Sequence, residues 1–212
     1  MNNPTFIDEI LADVDWRVSE LATIKSIPIK YSFDPVHKDI HIKYSVPALY
    51  AIWEGFIKNT FLIYSNHLNS LSIKRENIAY PLLTHHLDSI CNFQNPRHAF
   101  DKKRKMMELI DKSLTEEITI SPNVPTESNV NLKVLNKILE RYCITPADDK
   151  YEKGLNRLLL FRNKIAHGEN ALTVNMQHLT DFIKTIEDLM LDIIILIQDC
   201  EIAKTYFKPK VS

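Results

Sequence analysis

The sequence predicts an all-α protein, a single helical bundle of about five to seven helices spanning residues 1–212. Three observations carry that reading. Glycine occurs only three times in 212 residues, far less than a turn-rich β fold uses. Runs rich in Leu, Ile, Lys and Glu set apolar residues three and four positions apart, the repeat of one helix face. Hydrophobic residues make up 45% of the chain, enough for one good core, and the length does not require a second domain.

The first helix is expected from about Pro4 to Ser26, with Phe6, Ile10, Val14, Val18 and Leu21 on one side. Arg17 falls inside that stripe and is expected to pair with an acid on a neighbouring helix. Pro28 and Pro35 are expected to break the chain. A second helix follows from about Asp39 to Asn69, kinked at Pro47, with Leu49, Trp53, Phe56, Ile57, Thr60, Tyr64 and Leu68 as its seam. Further helices are expected near Asn77 to Asn92, Arg97 to Thr119 and Asn131 to Tyr142. Residues 120–130, with Pro122 and Pro125 among Ser, Asn and Thr, read as a mobile loop within the domain.

Thr145-Pro146 has the cap-then-proline form of a helix start, opening a helix that Gly168 stops. The last helix is expected from about Val174 to Lys204, with Leu179, Phe182, Ile183, Ile186, Met190, Ile193 and Ile197 as its core seam. Leu191 and Ile195 point almost the opposite way. That suits a helix sandwiched in its own domain or a seam between two copies.

The net charge of −1 gives no global attraction to nucleic acid, so any such contact must come from a local patch. The densest basic run, Lys102-Lys103-Arg104-Lys105, is the candidate for gripping an RNA backbone, although most such runs are solvated faces. Cys91, Cys143 and Cys200 form no CxxC pair and suggest neither a disulfide framework nor a zinc ribbon, which fits a reducing cytoplasm. His85-His86, with Cys91 and His98, lacks a pair of ligands to complete a metal site, so neither metal nor cofactor is expected. Met1-Asn2-Asn3-Pro4 shows no basic region followed by an apolar core, so no secretory signal is read. Leu189 to Ile197 is too short for a membrane span and contains Asp192. With no glycine-rich phosphate loop, GxSxG elbow or glycosidase-type carboxylate pair, ATPase, esterase and glycosidase readings have no support.

Chemistry concentrates in Arg162-Asn163-Lys164-Ile165-Ala166-His167-Gly168-Glu169. At about 100° per residue Leu155, Leu158, Leu159, Arg162 and Ala166 share one face, so the guanidinium projects from an apolar stripe. A charge there needs a partner, and an acid is expected to contact it. His167 adds a side chain that titrates near neutral pH. Residues five apart sit about 140° from each other on a helix, so Arg162 and His167 converge on one phosphate only if the helix ends between them or two subunits contribute.

The arginine, a polar residue, three further positions and the histidine resemble the Rx4H form of the HEPN motif, in the version of the MAE-type branch. Two other segments agree in order: Asp13-Val14-Asp15-Trp16-Arg17 through Glu20-Leu21 resembles the family's opening helix, and Leu49-Tyr50-Ala51-Ile52-Trp53-Glu54-Gly55-Phe56-Ile57-Lys58 its second. The resemblance covers roughly Phe6 to Tyr206. It implies a helical, dimeric and metal-independent endoribonuclease of the kind used as toxins or in antiphage defence, with an antitoxin or defence-system protein as a partner. It also implies Arg162, His167 and Asn163 as catalytic candidates, with Glu54, on the border of the second helix's seam, as the natural partner of Arg162.

The residue types suit the chemistry. A metal-free RNase must deprotonate a ribose 2′-hydroxyl, protonate the leaving 5′-oxygen and stabilise charge on the phosphoryl oxygens. Histidine takes either proton role, and an arginine fork matches phosphate oxygens bidentately. Asn163 is suited to bonding substrate or orienting His167, whereas Lys164 reads as a solvated charge. The alternative is a catalytically silent HEPN module that binds RNA, nucleotide or a partner protein. In family members silenced by nucleotidyltransferases a tyrosine stands two positions after the motif histidine. Glu169 stands there in this chain, which speaks against that form of control.

Overall fold

Thr5 starts the first helix with a capping box: its side chain accepts from the Asp8 N–H, and the Asp8 carboxylate takes the Thr5 N–H. In the computed structural model, which describes residues 4–91, 104, 107–108, 111, 118–127, 129–169 and 172–209, helix α1 runs Phe6–Lys30 and passes through Pro28. The expected break there does not occur. Proline cannot donate to the carbonyl one turn back, and the Ile24 carbonyl so released accepts from His41 Nε2 at 2.9 Å.

Helix α2, Pro35–Ser70, starts four residues before the expected Asp39. Asp34 caps it by accepting from the Val36 and His37 N–H groups. Pro35 occupies the first turn, where a missing N–H costs nothing, so it opens a helix instead of breaking the chain. The helix continues through Pro47. Then come α3 (Tyr80–Cys91), α4 (Leu132–Arg141), α5 (Glu152–Ala166) and α6 (Met176–Ala203), with short 3-10 turns at Arg75–Asn77 and Asp149–Tyr151. Among the described residues there is no sheet, and one isolated bridge joins Ile78 to Phe207.

The motif helix begins later than Thr145-Pro146 predicts, because Asp148 accepts from Lys150 N–H and opens the 3-10 turn that leads into α5. Most of the expected Arg97 to Thr119 helix lies outside the described residues. Arg104, Met107, Glu108 and Asp111 have helical backbone, whereas Ile118 and Thr119 do not.

The helices form one bundle in which α2 and α6 each pack against α1 and α5 and against one another. Phe6 stacks on His67 at 3.9 Å, and His67 lies 3.3 Å from Glu201, so the start of α1 meets the ends of α2 and α6. Phe161 meets His178 and Phe182 edge-on, so α5 runs antiparallel to α6. The α1–α2 turn, the C-terminus of α5 and the N-terminus of α6 therefore share one end of the bundle. Trp53, Phe56, Phe61 and Tyr64 are fully buried at its centre, each stabilising by about 1.5–3 kcal/mol.

Arg17 departs from expectation. Its acid is Asp13, one turn back on its own helix, contacted through Nε at 2.7 Å and Nη2 at 3.1 Å. The free end of the fork crosses to α2, where Nη1 donates to the Ile52 carbonyl at 2.9 Å. A Cβ on Gly55 would stand 2.9 Å from that nitrogen. Glycine in the Trp53-Glu54-Gly55-Phe56 turn is thus what admits the arginine, and α1 reaches α2 by a hydrogen bond instead of an interhelical ion pair.

Residues 118–130 carry no helix among those described, yet α2 and α3 hold them at several points. The Asn69 amide bonds both backbone groups of Ile120, at 2.7 and 3.0 Å. His86 Nδ1 donates to Thr119 O at 2.8 Å and His85 Nε2 to Ser121 O at 2.9 Å. Arg141 Nη1, which pairs with Asp88 at 2.9 Å, approaches His85 Nδ1 at 3.4 Å. This matches a neutral ring protonated on Nε2.

Burial, opposed by the bond to Ser121, pulls the His85 pKa below its ordinary value. The unfolded chain then takes up the proton first, so stability is lost as pH falls through about 6.5 toward the folded value. The urea midpoint should drop between pH 7.5 and 5.5, and drop less in His85→Gln. Equal slopes in the two proteins would contradict the assignment.

Candidate functional site

Helix α5 buries Leu155, Leu158, Leu159, Phe161 and Ile165, and this register leaves Arg162 half-buried at the edge of the core. Its guanidinium lies over the Tyr50 ring of α2, 4.5 Å from the ring centre. Nη1 donates to the Asn163 side-chain oxygen at 2.7 Å. Asn163 thus holds the arginine through its side chain, while its backbone carbonyl accepts the His167 N–H at 3.0 Å.

Glu54 lies one turn along α2 from Tyr50. Its carboxylate takes Lys58 Nζ at 2.8 Å and the Thr126 hydroxyl at 3.1 Å. Burial raises the Glu54 carboxyl, but Lys58, Thr126 and Tyr50 outweigh it and hold the group below its usual range. The Tyr50 hydroxyl in turn accepts the Val130 N–H at 3.0 Å. Burial chiefly pushes the Tyr50 phenol above its ordinary range, with Glu54 adding to the rise and Val130 and Arg162 opposing it. Tyr50 is therefore a neutral hydroxyl standing between an anion and a cation.

His167 is the C-cap of α5 and is exposed. The turn beyond it closes through Gly168 N–H to Ile165 O and Glu169 N–H to Lys164 O, both 3.0 Å. Gly168 makes this possible with φ +75, a left-handed conformation that suits glycine. Lys164 lies 3.3 Å from Glu169. Because Ala166 is still helical and the chain turns only after His167, the two motif side chains leave the helix about 140° apart.

The remaining candidates are dispersed. Lys102, Lys103 and Lys105 lie outside the described residues, and Arg104 is exposed with Glu108 at 3.8 Å. Leu191 and Ile195 are 51% and 53% exposed. Leu191 stands about 20 Å along α6 from His178, at 1.5 Å per residue, and so lies far from the motif end. Among the described residues no group of His, Cys, Asp and Glu could hold a metal ion, and no helix is long and apolar enough to cross a membrane.

Sequence reading missed Tyr50, Thr126 and Val130. The one available signal was the spacing of Tyr50 and Glu54, four apart and so on one helix face.

The profile of the MAE_28990-like HEPN family matches residues 6–206, including both the α2 segment and the α5 motif. No curated protein and no solved structure matches the chain. With that match covering nearly all of its length, the chain belongs to the MAE_28990-like HEPN family.

Proposed function

We propose that the protein is a metal-independent endoribonuclease, acting as a toxin or antiphage effector, whose active site forms between two copies of the chain. The observation that carries this reading is the pairing of an exposed His167 at a helix end with an Arg162 held against an aromatic ring five residues earlier. One imidazole takes the proton of the ribose 2′-hydroxyl, and the 2′-oxygen attacks the adjacent phosphorus. The second copy's imidazole protonates the departing 5′-oxygen. Arg162 stabilises the charge on the phosphoryl oxygens. The spacing of about 140° that five residues give on one helix supports a partner's contribution. Glu54 holds the Tyr50 side of the site, and the Lys102–Lys105 run serves the RNA backbone.

Expression of the wild type should arrest growth and expression of His167→Ala should not, with both proteins folded and at dimer mass by light scattering. A folded, dimeric His167→Ala protein as toxic as wild type ends the enzyme reading and leaves a binding module. A monomer mass at micromolar concentration ends the two-copy site.

A further inference from the structure

We infer that Tyr50 is a positioning residue for Arg162, and that through it Thr126 and Val130 form part of the site. This rests on the endoribonuclease reading. The ring is 2% exposed and carries the guanidinium on its face. A cation held over an aromatic ring is restrained in position by the ring face, so Tyr50 fixes the plane in which the guanidinium is presented.

The ring is itself fixed at its far end. The Tyr50 oxygen accepts the Val130 N–H at 3.0 Å, and Trp53 Nε1 donates to the Val130 carbonyl at 2.9 Å. Both backbone groups of Val130 are therefore satisfied by α2 side chains one turn apart. Thr126 closes the loop onto Glu54. A segment some 80 residues away in sequence thereby sets the height and tilt of the ring that supports Arg162.

The test uses Tyr50→Phe, which keeps the ring and loses the bond at the hydroxyl, and Tyr50→Leu, which loses both. RNA cleavage by Tyr50→Leu should fall in kcat by about 3- to 30-fold with KM little changed, and Tyr50→Phe should recover only part of the loss, the shortfall being the contribution of the bond from Val130. In an Arg162→Ala background Tyr50→Leu should cost nothing more, because the tyrosine acts through the arginine. Equal losses with and without Arg162 would mean a merely structural residue and overturn the inference. So would an unchanged Tyr50→Leu when Arg162→Ala is inactive.

A measurement independent of activity separates this outcome from failure of the nuclease reading. The Arg162 Nε–H resonance should be shifted by the Tyr50 ring current in wild type and Tyr50→Phe, and revert in Tyr50→Leu. If it does not move, the inference fails whether or not the protein cleaves RNA.

Discussion

Asp13→Ala should lose about 3–5 kcal/mol of folding stability, the largest effect expected from any single change away from the site. Asp13 and Arg17 are 9% and 6% exposed, and the carboxylate engages two nitrogens of the guanidinium as well as the Trp16 indole N–H at 3.0 Å. Removing it strands a charge between α1 and α2, with the Ile52 carbonyl and the Trp16 ring left as its partners among the described residues. Domains of ordinary stability have about 5–15 kcal/mol in total, so a fifth or more of the margin goes. Asp13→Asn keeps an acceptor and should lose less. Chemical denaturation followed by helical circular dichroism gives both values, and a loss below about 1 kcal/mol for Asp13→Ala would refute a clamp role for the pair.

His167→Ala should lower RNA cleavage by purified protein by about 10² to 10⁴, the contribution of one positioned acid or base. Its exposure at the end of α5 means that the fold should survive the change, with a urea midpoint within error of wild type. Arg162→Ala should cause a loss of similar order. Arg162→Lys should rescue little of it, because a point charge on a flexible stem offers neither the fork nor the flat face that rests on Tyr50. If Arg162→Lys cleaves like wild type, the guanidinium geometry described above is not what the reaction uses.

The amphipathic repeats of α1, α2, α5 and α6 were legible in the sequence because a buried face imposes its period directly on the residue order. Their ends were less so. Pro28 reads as a break until His41 is seen to occupy the carbonyl it releases, a compensation made by a residue on the next helix. Arg17 shows the same limit. Its place in an apolar stripe announces a buried charge, but which acid takes it depends on whether Gly55 leaves room for the fork to point across to α2. Within the site, Arg162 and His167 stand out as an unusual pair on one helix end. Tyr50 does not, since it reads as one more core aromatic. Its link to Val130 joins residues some 80 apart, through a backbone N–H that has no sequence signature at all.

The nature of the RNA ends tests the central claim most directly. Incubated with RNA in excess chelator, the wild-type protein should keep cleaving and leave 2′,3′-cyclic phosphate and 5′-hydroxyl ends, because the 2′-oxygen is the nucleophile and no metal takes part in the scheme. Cleavage abolished by the chelator, or products ending in 3′-hydroxyl and 5′-phosphate, would contradict it.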